Sequence, residues 1–213
     1  MSDRLHCMGF KMTYPCSGVI LAGGLSTRFS GRNKALIQVG GRSVLDRICS
    51  LFQELFDDII LVTNEPLRYL EWDLTITTDM FPVRSSLTGI HAGLFAATRP
   101  YAFCTACDTP FLKKEVVEMV LERLGGGHDV IVPEISAGFE PLCAAYSKRC
   151  LEVMARHIAQ EQLQIKRLFR KFRVRTVSEQ RLLEKDPDLL SFFNINAPED
   201  LVKAERLLAG ALS

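Results

Sequence analysis

Residues 18–34 read GVILAGGLSTRFSGRNK: a short apolar run, then two adjacent glycines, then several polar and basic residues. We predict that residues 18–21 form a strand that ends directly at the glycines. Glycines at this point let backbone N–H groups approach a phosphate without an intervening Cβ. Because open α/β sheets bind ligands at the carboxyl ends of their strands, the stretch predicts an anion site at the end of a first strand.

Two basic residues of this loop are candidates for holding the anion. The guanidinium of Arg28 and the ammonium of Lys34 would supply positive charge to phosphate oxygens. The loop is not a Walker A motif, because no Gly-Lys-Ser/Thr follows it, and it lacks the GxGxxG spacing of dinucleotide-binding folds. The alternative is an ordinary surface turn whose basic residues bind nothing.

The rest of the chain alternates short apolar runs with longer segments of helical period, which favours parallel β–α units. The predicted strands are residues 18–21, 59–62, 74–77, 101–106, 130–132, 139–146 and 174–177. The predicted helices are residues 43–55, 87–98, 113–124, 148–160, 163–172 and 198–208. We predict an α/β, Rossmann-like three-layer sandwich with a mostly parallel sheet, to which residues 139–146 add an antiparallel strand.

Composition narrows the class of protein. The 213 residues are 47% hydrophobic and 24% charged, which is typical of a soluble globular protein. A net charge of +1 provides no field for nucleic acid or membranes, so we predict neither as a partner. No apolar run reaches 18 residues and residues 1–15 lack a signal-peptide core, so we expect a cytoplasmic protein. We predict a loose extension over 1–15 and one domain over 16–213.

Seven cysteines, an odd number, are predicted to be reduced and mostly structural. Cys104 and Cys107 form a CxxC pair, but both fall in a strand-like run rather than at a helix N-terminus. A metal or redox role for this pair is the weaker alternative.

Asp108 is the candidate metal ligand. It lies in TACDTPFL, residues 105–112, directly after a predicted strand of nearly continuous apolar character. A carboxylate at that position points to the same sheet edge as the glycine loop. Because Mg²⁺ is usually held by one or two carboxylates together with substrate phosphates, we predict Mg²⁺ as the cofactor and Asp108 as its ligand. The alternative role is the N-cap of the helix that follows.

Further polar residues come at the ends of predicted elements. Asn64 and Asp79 follow two strands and are expected in the same crevice, although each would equally suit a turn. Asn194 and Asn196 are two apart in an extended segment, so they share one face and are candidate ligand contacts. Residues 198–200, Pro-Glu-Asp, are typical of a helix start.

A cationic stretch in the last quarter is predicted to be the solvated face of the amphipathic helix 163–172. The alternative is a docking surface for an anionic cofactor or an acidic partner. The cations are Lys166, Arg167, Arg170, Lys171, Arg173 and Arg175. Acidic residues flank the stretch and no nucleic-acid reading motif accompanies it, so nucleic-acid binding is not predicted.

Seven segments resemble the molybdenum cofactor guanylyltransferases, within the wider nucleotidyltransferases that include sugar phosphate pyrophosphorylases and cytidylyltransferases. The segments are LAGGLSTRFSGRNK (21–34), TN (63–64), TD (78–79), SSLTGIHAG (85–93), CDTPFL (107–112), EPLCAAYSK (140–148) and NINAPEDL (194–201). The resemblance implies a fold of the nucleotide-diphospho-sugar transferase type.

The resemblance also implies roles for individual positions. The implied nucleotide-binding residues are Leu21, Ala22, Gly23, Gly24, Lys34, Asn64, Asp79 and Asp108. The implied catalytic residues are Arg28, Lys34 and Asp108, with Asp108 binding Mg²⁺, and the implied acceptor contacts are Asn194 and Asn196. Two departures bear on the substrate: Asn33 stands where the family usually has Asp, and Ser85-Ser86 stand where it has Gly-Pro.

The activity implied by the resemblance is the transfer of GMP from GTP to the terminal phosphate of molybdenum-molybdopterin, with release of pyrophosphate. This would form the molybdopterin guanine dinucleotide cofactor. One alternative is cytidylyl, adenylyl or uridylyl transfer to a pterin, sugar or alditol phosphate. Another is a non-catalytic GTP-binding module that assists cofactor insertion. The expected ligands are GTP and a molybdopterin-type substrate, and a molybdoenzyme or a cofactor-carrier protein is the candidate protein partner.

Overall fold

The computed structural model describes residues 14–23 and 34–211. Residues 1–13 of the predicted extension and the loop positions Gly24, Arg28 and Asn33 lie outside these ranges. The strands are β1 (Cys16–Leu21), β2 (Gln38–Val39), β3 (Arg42–Ser43), β4 (Ile59–Val62), β5 (Thr75–Thr77), β6 (Tyr101–Ala106), β7 (Val130–Ile135), β8 (Gly138–Phe139), β9 (Cys143–Ser147) and β10 (Val174–Ser178). The α-helices are α1 (Val44–Leu55), α2 (Ser86–Ala96), α3 (Lys114–Leu121), α4 (Leu151–Ala159), α5 (Ile165–Leu168), α6 (Glu179–Leu183) and α7 (Pro198–Ala211).

The main sheet has the order β10-β7-β9-β6-β1-β4-β5, with β8 paired to β7. β1 lies parallel to β4 on one side and to β6 on the other, and the pairs β4–β5 and β7–β10 are also parallel. β9 is antiparallel to both β6 and β7, which confirms a mostly parallel sheet with an antiparallel strand. The carboxyl ends of β1, β4, β5 and β6 therefore meet at one edge.

Helices cover both faces of the sheet, as predicted for a three-layer sandwich. Because successive strand residues point to opposite faces, Ile20 packs into one core and Val19 into the other. The first core is built around α1 and α3 and contains Phe52; the second is built around α2 and α4 and contains Met154.

Helix starts follow the residues that favour them. Ser43 caps α1, because its Oγ accepts a hydrogen bond from the Asp46 N–H at 3.0 Å. At α7, Asp200 Oδ2 accepts 2.8 Å hydrogen bonds from the backbone N–H groups of Asn196 and Ala197. These two residues directly precede Pro198, at which the helix begins. The predicted role of residues 198–200 in starting a helix is confirmed for Asp200.

Helix α2 lies unusually close to the sheet. Its residues 87–94 are all buried, and Gly89 and Gly93, one turn apart, face the β1 side chains Leu21 and Val19. A Cβ on Gly89 would lie 3.3 Å from Leu21, and one on Gly93 would collide with Val19. The absence of side chains at these two positions lets the helix backbone approach the strand that ends at the candidate anion site.

A methyl group in this contact is expected to be costly. Gly93→Ala should lower the free energy of unfolding by about 1–2 kcal/mol, because overpacking outweighs the gain in helix propensity. Urea denaturation with a circular-dichroism readout measures the change. Gly210→Ala is the control, since a Cβ at that position in α7 meets nothing within 4 Å. Equal stability of the Gly93→Ala and wild-type proteins would contradict the close approach of α2 to β1.

Two predicted elements differ from the structure. Residues 139–146, expected to be one strand, divide into β8 and β9, because Pro141 lacks an N–H and the Cys143 N–H bonds to the Glu140 carbonyl in a turn. The predicted extent of the helix over 163–172 was wrong. The structure has only the short helix α5 and a 3₁₀ turn, Phe169–Lys171, in this segment. The flanking residues Gln164 and Phe172 have extended backbone. Phe172 must be extended for β10 to begin.

The cationic stretch is exposed, although no long helix carries it. Its exposed cations are Lys166, Arg167, Arg170, Lys171, Arg173 and Arg175. Leu168 and Phe169 between them are buried in the core around α2 and α4. The prediction of a solvated cationic surface is confirmed, and its helical form is not.

The cysteines of the described residues are free and buried. Burial raises the pKa of Cys107 to about 12 and that of Cys104 well above its ordinary value, so both are thiols at neutral pH. Within residues 14–23 and 34–211, no helix is both long enough and apolar enough to cross a bilayer.

Candidate active site

A cavity of about 470 Å³ opens at the carboxyl ends of the parallel strands. Eight residues selected from the sequence line it: Leu21, Ala22, Gly23, Lys34, Asp79, Asp108, Asn194 and Asn196. They come from segments that are up to 175 positions apart in the chain, from residue 21 to residue 196. The sheet brings them together because β1, β4, β5 and β6 all end at this edge.

Lys34 and Asp108 are in direct contact in the cavity. The Lys34 Nζ lies 3.4 Å from Asp108 Oδ2 and donates a 2.8 Å hydrogen bond to Asn196 Oδ1. Both side chains of the ion pair are only 18% exposed. Burial raises the pKa of the Asp108 carboxyl above its ordinary value, and the Lys34 ammonium offsets part of that rise.

Asn64 and Asp79 form a reciprocal pair at the ends of β4 and β5. Asn64 Nδ2 donates to Asp79 Oδ2 at 2.8 Å, and the Asp79 N–H donates to Asn64 Oδ1 at 3.3 Å. Asp79 lines the cavity, and Asn64, which is not among the lining residues, orients the Asp79 carboxylate through these two hydrogen bonds. Of the two predicted nucleotide contacts, the structure therefore places one on the cavity wall and the other in support of it.

Asn194 and Asn196 reach the cavity by simple alternation. Ile195 between them is fully buried, and its N–H donates a 2.9 Å hydrogen bond to the Asp108 carbonyl. The extended backbone then turns both asparagines to the other side, where they line the cavity. Asn194 is further oriented by a 3.1 Å hydrogen bond from its Nδ2 to the Phe192 carbonyl.

The geometry excludes one of the alternative roles. Helix α3 begins at Lys114 with Lys113 as its cap residue, so Asp108 is not a helix N-cap. The residues after β1 that are described, Ala22 and Gly23, lie on the cavity wall. The predicted positions of Gly24 and Arg28 lie outside the described residues.

Sequence reasoning missed part of the cavity wall near the start of α2. Ser85 caps this helix by accepting a 3.1 Å hydrogen bond from the Thr88 N–H, and Ser86 is its first residue. The two serines that replace Gly-Pro thus keep a well-formed helix start, and both line the cavity. A serine before the apolar run 87–94 was a readable signal for this cap, whereas nothing in the sequence distinguished Arg84, which also lines the cavity.

The cavity suits a metal ion that arrives with phosphates. Among residues 14–23 and 34–211, no three His, Cys, Asp or Glu side chains converge to hold an ion by themselves. Asp108 presents one partly buried carboxylate, with Lys34 beside it. Hard oxygen ligands, one from the protein and the rest from phosphate and water, are what Mg²⁺ takes in nucleotide sites, so the residues present fit this ion.

Comparison with known proteins agrees with the geometry. A family model described as the MobA-like NTP transferase domain matches residues 18–178. The chain is 50% identical over 198 residues to a molybdenum cofactor guanylyltransferase from Desulfosudis oleivorans, covering 92% of this chain and 98% of that protein. It is 35% identical over 202 residues to a probable molybdenum cofactor guanylyltransferase from Natranaerobius thermophilus, with the same coverage of both chains.

Solved structures share the architecture. The molybdopterin-guanine dinucleotide biosynthesis protein A from Archaeoglobus fulgidus superposes with a TM-score of 0.80 at 26% identity, over 91% of this chain and 99% of that one. The 2-C-methyl-D-erythritol 4-phosphate cytidylyltransferase from Thermus thermophilus shares the fold, with a TM-score of 0.66 at 19% identity over 93% of this chain and all of that one. The chain therefore belongs to the MobA-like NTP transferase family, in agreement with the resemblance of its seven sequence segments.

Proposed function

We propose that this protein transfers GMP from GTP to the terminal phosphate of molybdenum-molybdopterin, releasing pyrophosphate and forming the molybdopterin guanine dinucleotide. We assign the activity to one domain, residues 16–213. The observation that carries the proposal is the convergence of Lys34, Asp108 and Asn196 in one cavity at the end of β1. The proposal is supported by the 50% identity over 198 residues to the protein from Desulfosudis oleivorans that is named a molybdenum cofactor guanylyltransferase.

The chemistry requires alignment and charge rather than a base. The acceptor is a phosphate monoester that is already ionised at neutral pH, so its oxygen can attack the α-phosphorus of GTP directly. The bond from the α-phosphorus to the bridging oxygen breaks, and pyrophosphate leaves with the negative charge. In this proposal Lys34 neutralises that charge, and the backbone at Ala22 and Gly23 holds the phosphates in line; all three residues line the same cavity.

Asp108 would hold Mg²⁺, which supplies positive charge to the phosphate oxygens when bound. In the structure, the carboxylate of Asp108 forms an ion pair with the Lys34 ammonium. We propose that the triphosphate draws Lys34 away from Asp108, so that the carboxylate becomes available as the phosphates enter. The Asp79 carboxylate, fixed by Asn64, is placed to accept hydrogen bonds from the nucleoside.

The test is a panel of nucleotides with and without the acceptor. The purified protein is incubated with Mg²⁺ and each of GTP, CTP, ATP and UTP, in the presence or absence of molybdenum-molybdopterin. We expect pyrophosphate release and a dinucleotide product, identified by mass spectrometry, only with GTP and the acceptor together. Faster turnover of another nucleotide would reassign the substrate, and GTP binding without pyrophosphate release would favour the non-catalytic module.

A further inference from the structure

We propose that Asp186 is a positioning residue for the acceptor side of the site. It fastens the segment that carries Asn194 and Asn196 to the loop that carries Asp108, although it lies outside the cavity itself. This inference rests on the proposed function, because it treats the two asparagines as acceptor contacts.

The first observation is the burial of a charge. Asp186 is completely buried, whereas every other Asp, Glu, Lys and Arg among the described residues is at least partly exposed. A buried carboxylate is costly unless ion pairs and hydrogen bonds compensate for its lost hydration. The residues that pair with Asp186 therefore indicate which segments this carboxylate holds together.

The partners of Asp186 lie on two distant segments. The Lys113 Nζ lies 2.8 Å from Asp186 Oδ1, and the Ser191 N–H donates to Asp186 Oδ2 at 2.8 Å. Ser191 Oγ in turn accepts a 3.1 Å hydrogen bond from the Lys113 N–H, which closes the cluster. Burial acts to raise the pKa of Asp186, but Lys113 and Ser191 together hold it below its ordinary value, so the group is ionised at neutral pH.

These two segments are the ones that build the acceptor side. Lys113 comes five residues after Asp108, and Ser191 comes three residues before Asn194. The N–H of Ile195 adds a second tie, a 2.9 Å hydrogen bond to the Asp108 carbonyl. The Asp186 cluster and this hydrogen bond thus fix the segment at both sides of Asn194, and the position of each asparagine relative to Asp108 follows from them.

The backbone of the segment shows that it is held in place. Leu189, between Asp186 and Ser191, has φ 51° and ψ 34°, a left-handed conformation that non-glycine residues seldom adopt. Such a conformation persists only where the surroundings enforce it. The Leu189 N–H donates a 2.9 Å hydrogen bond to the Asp186 carbonyl, so the same residue holds this turn through its backbone as well.

The experiment uses Asp186→Asn, which keeps the side-chain volume and an acceptor for the Ser191 N–H but removes the charge that holds Lys113. We expect the KM for molybdenum-molybdopterin to rise about tenfold while the KM for GTP stays within about twofold, because the nucleotide contacts at β1 and β5 are untouched. Ser191→Ala, which breaks the tie to the Lys113 N–H, should shift the same KM in the same direction. Lys113→Arg, which keeps the charge, should retain most of the wild-type affinity for the acceptor.

The control is Asp129→Asn. Asp129 is 14% exposed and pairs with Arg149 and Arg173 before β7, at the opposite edge of the sheet from the cavity. The Asp129→Asn variant should have a lower melting temperature than the wild type, with unchanged KM values for GTP and for molybdenum-molybdopterin. All kinetics are measured well below the melting temperature of each variant.

The outcomes separate the two proposals. If the wild-type protein releases no pyrophosphate with GTP and acceptor, the proposed function is wrong. If the wild type is active and Asp186→Asn changes both KM values equally or neither of them, Asp186 only stabilises the fold and the positioning role is wrong. If Asp186→Asn does not fold, Ser191→Ala decides the question alone, since it leaves the ion pair with Lys113 in place.

Discussion

Asp108→Asn is expected to lower the turnover of GMP transfer by about 10³-fold. The amide has the same shape as the carboxylate but carries no charge, so it cannot hold a divalent ion against the phosphates. Steady-state pyrophosphate release at saturating GTP and acceptor measures the effect. Turnover within about tenfold of the wild type would remove Asp108 from the proposed mechanism.

Stability distinguishes this loss from misfolding. Because the pKa of Asp108 is raised in the folded protein, its ionisation disfavours the native state at any pH above its pKa in the unfolded chain. Asp108→Asn removes that cost along with the contact to Lys34, so its melting temperature at pH 7 should not fall below that of the wild type. In the wild type, affinity for Mn²⁺ should decline as pH falls through the raised pKa, at a higher pH than for an exposed carboxylate.

Lys34→Met is expected to reduce kcat/KM for GTP by about 10²-fold, because the ammonium that we propose neutralises the leaving pyrophosphate is lost. The same change should increase the affinity of the free protein for Mn²⁺, since the ion no longer competes with Lys34 for Asp108. Steady-state pyrophosphate release measures the first effect. Titration of Mn²⁺ followed by electron paramagnetic resonance, in the absence of GTP, measures the second.

The opposite signs of these two effects make the test specific. The control is Lys114→Met, which removes an exposed ion pair with Glu54 outside the cavity and should leave both quantities unchanged. Weaker Mn²⁺ binding in Lys34→Met without GTP would contradict the role of Lys34 as the resident counter-ion of Asp108.

Much of the site was predictable because it follows from local rules. Polar residues that directly follow a strand lie at its carboxyl end, and parallel strands bring those ends together, so Gly23, Asp79 and Asp108 could be assigned to one crevice. The alternation Asn194-Ile195-Asn196 predicted a shared face in the same way. These inferences need only β1, β4, β5 and β6, and the apolar runs predicted the ends of these four strands to within two residues.

Other features depend on contacts that no local pattern reveals. The antiparallel strand was predicted, but its place between β6 and β7 depends on strand order, which no window of sequence encodes. Asp186 follows a lysine and precedes Pro187 in a polar stretch that is typical of a surface turn. In the structure it is fully buried and forms an ion pair with Lys113, which lies 73 positions earlier. An exposed loop residue such as Arg84 differs in no local way from other surface arginines.

The contacts of residues 194–196 with Lys34 and Asp108 also determine when the site becomes complete during synthesis. The glycine end of β1, Lys34 and Asp108 lie between residues 21 and 108, whereas Asn194 and Asn196 follow more than 80 positions later. During synthesis on the ribosome, Lys34 and Asp108 can meet long before the asparagine partner of Lys34 emerges. A nascent chain, or a fragment cut before residue 194, would therefore lack the two asparagines that we propose as acceptor contacts.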